Sequence, residues 1–240
     1  MKFHVFETPE FVVDSLAQTM LELSQQEHPV HISLSGGSTP KLLFKRLAQA
    51  PFAEQVVWSN LHFWWGDERC VAPTHPESNF GEANELLFKH IALPVENIHR
   101  IRGEDDPQKE VERFAQEMQR VVPQSHGLPK FDWILLGMGT DGHTASLFPH
   151  QTDFADPSLA IIARHPDSQQ QRISKTAGVI ENAERITYLV LGESKASVIQ
   201  EIHDKPAGEL PYPAAKVQAK FGHTQWFLDA AAAKELVKGE

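Results

Sequence analysis

The chain has 240 residues, 41% of them hydrophobic and 22% charged, the balance of an ordinary soluble globular protein with enough length for a large core. A net charge of -10 argues against a nucleic-acid surface, which needs a basic stripe, so cations that hold an anionic ligand must be concentrated locally. No apolar run approaches the roughly 18 residues of a membrane helix, and Glu7 interrupts Met1–Phe6 too soon for a signal peptide. The single cysteine, Cys70, cannot form an internal disulfide and is read as an inert thiol. A cytoplasmic protein, with one domain over residues 1–240 and a monomer as the default, is the expectation.

In chain order, Lys2–Phe6 predicts a strand. Thr8 and Pro9 then supply an N-cap and a first-turn proline for a helix with Val12, Val13, Leu16, Met20 and Leu23 on one face. Val30–Ser35 predicts a strand running into Gly36-Gly37-Ser38-Thr39-Pro40, with Thr39 as N-cap and Pro40 as the first residue of the next helix. Strand, Gly-Gly-Ser turn and helix N-terminus together form an anion site, because free backbone N–H groups and the positive end of the helix dipole converge. Ser35, Gly36, Gly37, Ser38 and Thr39 are therefore candidate phosphate ligands, although the P-loop spacing is absent.

The strand Leu61–Trp65 ends at Gly66 and presents Asp67-Glu68-Arg69, three adjacent charges that do not read as core. Val71–Ser78, with two prolines, predicts a binding loop; Asn79–Ile91 predicts a helix, and Asp106-Pro107 caps another to about Val122. The apolar run Phe131–Leu136 then meets Gly137-Met138-Gly139-Thr140-Asp141-Gly142-His143, a glycine-rich turn at a strand end that offers Asp141 and His143 for acid–base work. These glycines also satisfy G-x-G-x-x-G, but Pro149 interrupts the following helix and no acidic residue ends the strand near Ile161 and Ile162, so dinucleotide binding is not expected. Thr152–Gln171 is less regular, and Arg172-Ile173-Ser174 begins a strand or edge connection. Ile186–Leu191 predicts a strand followed by Gly192–Lys195 and a helix through Val198 and Ile202. Gln225–Leu228 and a short helix at Ala230–Val237 close the chain.

Strands alternating with helices predict right-handed crossovers and a three-layer α/β fold, a mostly parallel sheet with helices on both faces. In such a sheet the carboxyl ends of the strands share one edge, which would bring the Ser35–Thr39 loop, Asp67, Arg69, Asp141, His143 and Lys195 together. Arg69, Lys195 and Arg172 are candidate cations, and a neutral histidine such as His143 can take a proton from water. H-E-x-x-H and clustered Cys/His spacings are absent, so neither a metal nor an organic cofactor is expected.

The segments Leu34–Pro40, Trp65–Arg69 with Ser78-Asn79, Gly137–Pro149, Gly192 with Lys195-Ala196, and Trp226–Asp229 with Ala231-Ala232 resemble the 6-phosphogluconolactonase family over nearly the whole chain. The resemblance implies cofactor-free hydrolysis of 6-phosphoglucono-1,5-lactone in the oxidative pentose phosphate route. It implies His143 as the base that activates water, with Arg69, Arg172 and Lys195 neutralising phosphate or oxyanion. Asp67 and Asp141 would orient His143 or the sugar, and backbone amides of the Gly137 turn offer an oxyanion hole. Two segments depart from the family pattern, Asp167–Gln171 before Arg172 and Leu210–Ala215.

Glucosamine-6-phosphate deaminase resembles the chain in the phosphate loop, the Asp-Glu pair and Asp-Gly-His. Its segment after Asp-Gly-His carries Asn-Glu-Pro, whose glutamate assists ring opening; here the place reads Leu147-Phe148-Pro149. A non-catalytic sugar-phosphate sensor on the same scaffold is a further reading, which predicts binding without turnover.

Overall fold

The computed structural model describes residues 1–236. Seven strands form one sheet: β1 (Lys2–Phe6), β2 (Val30–Leu34), β3 (Leu61–Trp65), β5 (Ile98–His99), β8 (Trp133–Leu136), β11 (Arg185–Val190) and β12 (His223–Asp229). Their order is β1-β12-β11-β8-β2-β3-β5 and every pairing is parallel. β8 and β11 read as near-continuous apolar runs because both faces are covered, as parallel strands require, and β2, Val-His-Ile-Ser-Leu, is buried throughout although it alternates in sequence. The eight helices are α1 (Pro9–Ser24), α2 (Ser38–Leu47), α3 (Phe52–Gln55), α4 (Asn79–Leu86), α5 (Pro107–Val121), α6 (Ala177–Glu181), α7 (Ala196–Asp204) and α8 (Pro213–Lys216), counted among the described residues.

Strand alternation sends β3 side chains to two different covers. Phe63 and Trp65 pack against Phe88 and Phe80, whereas Trp64 meets Phe114 of α5 and Phe131. The three-layer α/β expectation therefore holds. β8 and β2 are neighbours although far apart in sequence, so the chain changes direction across the sheet between them. Strand-end loops diverge at such a switch point and leave a crevice. Flanked by β11 on one side and β3 on the other, these strands set four candidate loops side by side.

A second sheet stands at this edge: β4 (Asp67–Arg69), β10 (Gln171–Lys175) and β9 (Ala160–Arg164), all antiparallel. A two-stranded ribbon pairs β6 (Gln124–Ser125) with β7 (Leu128–Pro129).

Several boundaries differ from the sequence reading. α2 begins at Ser38 with Gly37 in the N-cap position at φ 110°, so Thr39 is not the cap; the left-handed glycine lets the chain turn into the helix earlier. The helix expected over Asn79–Ile91 stops at Leu86 and continues as a 3-10 turn, Phe88–His90. Ala230–Glu235 is turns and not a helix, and Val237 lies outside the described residues. Asp67 and Glu68 are buried, contrary to the reading of these charges as non-core. Among the described residues no helix is long and apolar enough to cross a membrane.

Candidate active site

The ends of β11, β8, β2 and β3 surround a cavity of about 240 Å³. Its wall contains Ser35, Gly36, Gly37, Ser38, Thr39, Asp67, Arg69, His143, Arg172 and Lys195, all the candidates except Asp141. Asp141 stands behind His143 and reaches the cavity through it.

The glycine loop has a tertiary reason. A Cβ on Gly36 would fall on the side-chain amide of Asn79, and that amide donates to the carbonyl of Asp67 at 2.9 Å. The absence of a side chain at Gly36 thus lets the first turn of α4 close against the loop. α2, ten residues long, points its N-terminus at the cavity, and Ser35 and Ser38 add hydroxyls beside it.

Asp141 and His143 form a tight pair. Nδ1 of His143 lies 2.6 Å from Oδ1 of Asp141, and the His143 backbone N–H donates to the same oxygen at 3.2 Å. A carboxylate accepts, so Nδ1 carries the proton and Nε2 of the neutral ring is the free base. Partial burial would raise the Asp141 carboxyl, but its electrostatic attraction to the His143 imidazole and the hydrogen bonds from His143 outweigh it and hold the pKa below the ordinary value. Gly139 makes the pair possible, because a Cβ there would sit on both His143 Nδ1 and Asp141 Oδ1.

Four amides of this turn are already engaged. Gly139 N–H donates to the His143 carbonyl, Gly142 N–H to that of Gly139, His143 N–H to Asp141 and Thr144 N–H to the carbonyl of Leu147. The oxyanion hole expected from the Gly137 turn cannot draw on these four amides.

On the opposite wall Asp67 accepts from Ser146 Oγ at 2.5 Å and lies 4.0 Å from Arg172 Nη1. Arg172 is 9% exposed; burial lowers its pKa and Asp67 works against that, without removing the charge. Arg69 donates through Nη1 to the carbonyl of Glu77 at 2.5 Å. The Nε atoms of both arginines are buried without a protein partner. Two guanidinium groups in the wall of one cavity suit an anionic guest, because each carries a fixed positive charge and a fork of N–H donors. Lys195, across the cavity, has its pKa lowered by burial, which the charge of Asp141 opposes.

Several contributors lie within the motifs quoted from the sequence but were not named there as site residues. Glu68 accepts from the backbone N–H of Arg69, Asn79 and Phe80 and from Ser78 Oγ at 2.8–3.0 Å, so it caps α4 and secures Arg69; burial still raises its pKa against all four bonds. Phe148 is buried with its ring 5.1 Å from that of His143 and 5.9 Å from the Arg172 guanidinium carbon, so it packs against both base and cation. Ser146 and Asn79 complete the set. Cys70 is half-buried outside the cavity, and burial with the Glu68 charge raises its thiol pKa, which agrees with an inert group. The unusual Asp167–Gln171 segment does not displace Arg172, which β10 pairs to Arg69.

A doubly wound parallel sheet with a cationic, Asp–His-bearing crevice at its switch point defines an α/β protein of the class that takes its ligand at the carboxyl ends of the strands. Comparison with known proteins sharpens this. The family model described as glucosamine-6-phosphate isomerases/6-phosphogluconolactonase matches residues 7–226, and the chain belongs to that family. It is 61% identical over 236 residues to the 6-phosphogluconolactonase of Haemophilus influenzae, covering 98% of this chain and 100% of that protein. A crystal structure of a devB protein superposes with a TM-score of 0.97 at 60% identity, over 98% of this chain and 99% of the other. That of 6-phosphogluconolactonase from Trypanosoma brucei gives 0.84 at 25% identity, with 98% of each chain covered.

Proposed function

We propose that the chain hydrolyses 6-phospho-D-glucono-1,5-lactone to 6-phospho-D-gluconate, the second step of the oxidative pentose phosphate route, with His143 as general base. The observation that carries this is the Asp141–His143 pair facing a cavity whose other wall is built from an anion loop and cations. High identity over full length to proteins named for this activity supports the substrate.

The chemistry follows from the groups present. A water held beside Nε2 of His143 gives up its proton there as its oxygen bonds to C1 of the lactone. Asp141 stabilises the imidazolium that forms. The C1–ring-oxygen bond then breaks, and the imidazolium returns the proton to the departing ring oxygen. The Ser35–Thr39 loop, the α2 N-terminus and Arg172 hold the phosphate, while Arg69 and Lys195 offset the negative charge that develops during attack. Asp67 fixes Arg172 and hydrogen-bonds the sugar. None of these steps calls on a metal or organic cofactor.

Against deamination of glucosamine 6-phosphate stands Phe148. The place where the deaminase pattern carries a glutamate is filled by a buried aromatic ring against His143, which cannot transfer a proton. The test is the hydrolysis of freshly generated 6-phosphogluconolactone above its spontaneous rate. The native protein should accelerate it, and His143→Ala should lose about 10²- to 10⁴-fold while remaining folded. No acceleration by the native protein would overturn the reading, and ammonia release from glucosamine 6-phosphate would then be measured.

A further inference from the structure

Lys175 is fully buried, outside the cavity, and unused by the chemistry above. It ends β10, and its backbone N–H donates to the carbonyl of Gly66 at 2.8 Å. Its side chain passes beneath the site, where Nζ donates to Ser33 Oγ at 3.0 Å and to the carbonyl of Trp65. Two aromatic rings enclose it, Phe131 at 4.6 Å and Phe114 at 5.2 Å from Nζ to the ring centre.

The three strands joined at this amine are those that deliver the anion-binding groups. Ser33 lies two residues before Ser35, where β2 opens into the loop and α2. Trp65 is the last residue of β3, two residues before Asp67 and four before Arg69. β10 carries Arg172 three residues upstream of Lys175. The Trp65 carbonyl, at a strand end, has the amine as a side-chain donor in an apolar pocket, and leaving a buried carbonyl unpaired is costly. An unprotonated amine has two N–H donors, and two acceptors are present to take them. Burial drives the pKa of Lys175 well below its ordinary value, with the Asp67 charge only partly opposing, in agreement with that count.

We infer that Lys175 is a positioning residue for anion binding, its buried amine tying β2 and β3 to β10 so that the Ser35–Thr39 loop and Arg172, with Asp67 beside it, keep one spacing around the phosphate. This rests on the reading of the cavity given under Proposed function. The amine touches neither His143 nor Asp141, which ride on the turn after β8. Its loss therefore weakens binding and spares the chemical step.

The test compares the native protein with Lys175→Met, Lys175→Gln and Ser33→Ala by lactone kinetics, by calorimetric titration with inorganic phosphate and by thermal unfolding. Lys175→Met should raise KM and weaken phosphate binding about tenfold, the scale of one lost hydrogen bond, with kcat within about twofold. Lys175→Gln, which keeps two N–H donors, should recover most of the loss. Unchanged KM and phosphate affinity in folded Lys175→Met would overturn the inference, as would a fall in kcat alone, which marks a smaller folded fraction. Should Lys175→Met fail to fold, Ser33→Ala removes one of the two acceptors and is read by the same criteria. Native protein that binds phosphate without hydrolysing lactone defeats the functional reading, and the phosphate titration still decides the role of Lys175.

Discussion

On the α5 side of the central sheet lies a buried histidine cluster whose acid sensitivity can be calculated. His31 of β2 is 3% exposed and accepts the Trp64 indole N–H at Nδ1, 3.1 Å away. His62 stacks beside it with ring centres 4.8 Å apart, and His62 Nδ1 lies 3.0 Å from His99 Nε2. His99 continues to Glu117 at 2.7 Å. Burial first, then the His62, His99 and His28 charges, push the pKa of His31 from 6.5 down to about 3. The unfolded chain therefore binds a proton at His31 that the folded one refuses, so stability falls as pH drops below 6.5 and levels off near 3. At pH 5 the cost is about 2 kcal/mol relative to pH 8, taking about 1.4 kcal/mol per unit over the 1.5 units below the unfolded value. His31→Gln keeps an acceptor for Trp64 and cannot titrate. In urea unfolding at the two pH values, the stability advantage of the native protein over this variant should shrink by about 2 kcal/mol from pH 8 to pH 5. An advantage equal at both pH values would refute the assignment of a refused proton to His31.

Three further outcomes follow from the site. Asp141→Asn removes the carboxylate that accepts from Nδ1 and frees the wrong tautomer, so kcat should fall by about 10²-fold or more with little change in phosphate affinity, as read by steady-state kinetics and calorimetry. Gly36→Ala forces a Cβ onto Asn79, and titration with inorganic phosphate should show binding reduced by about tenfold or more while unfolding shows a folded protein. Lys175 bears a lowered pKa when folded, so the unfolded chain binds the extra proton below about 10.4. The native protein should gain stability over Lys175→Met as pH rises from 7 toward 10 in urea titrations.

The oxyanion side of the mechanism moved furthest between sequence and structure. Glycines at 137, 139 and 142 read as a backbone free to approach a ligand, yet Gly139 gives room to the Asp141–His143 pair itself, and the turn's own hydrogen bonds use the amides of 139, 142, 143 and 144. Which groups a glycine makes room for depends on what folds over it. No spacing in the chain records that.

Much of the molecule was nonetheless determined locally. Apolar and β-branched residues concentrate in buried strands, so β2, β3, β8 and β11 were legible from Val30, Leu61, Phe131 and Ile186 onward, and their alternation with helices predicted the parallel sheet. The Gly-Gly-Ser loop and the Asp-Gly-His turn announced themselves because glycines and catalytic side chains cluster at strand ends. Tertiary structure alone decided that the charged triplet at Asp67 is a strand, since its regularity comes from pairing with β10 more than 100 residues later. It alone decided that Phe148 packs against both His143 and Arg172, and that Lys175 is core. A lysine after Arg172-Ile173-Ser174 looks like a solvated charge; only the chain ends that meet around it supply two acceptors and two aromatic rings, and burial of an amine is favourable only where distant residues have converged to receive it.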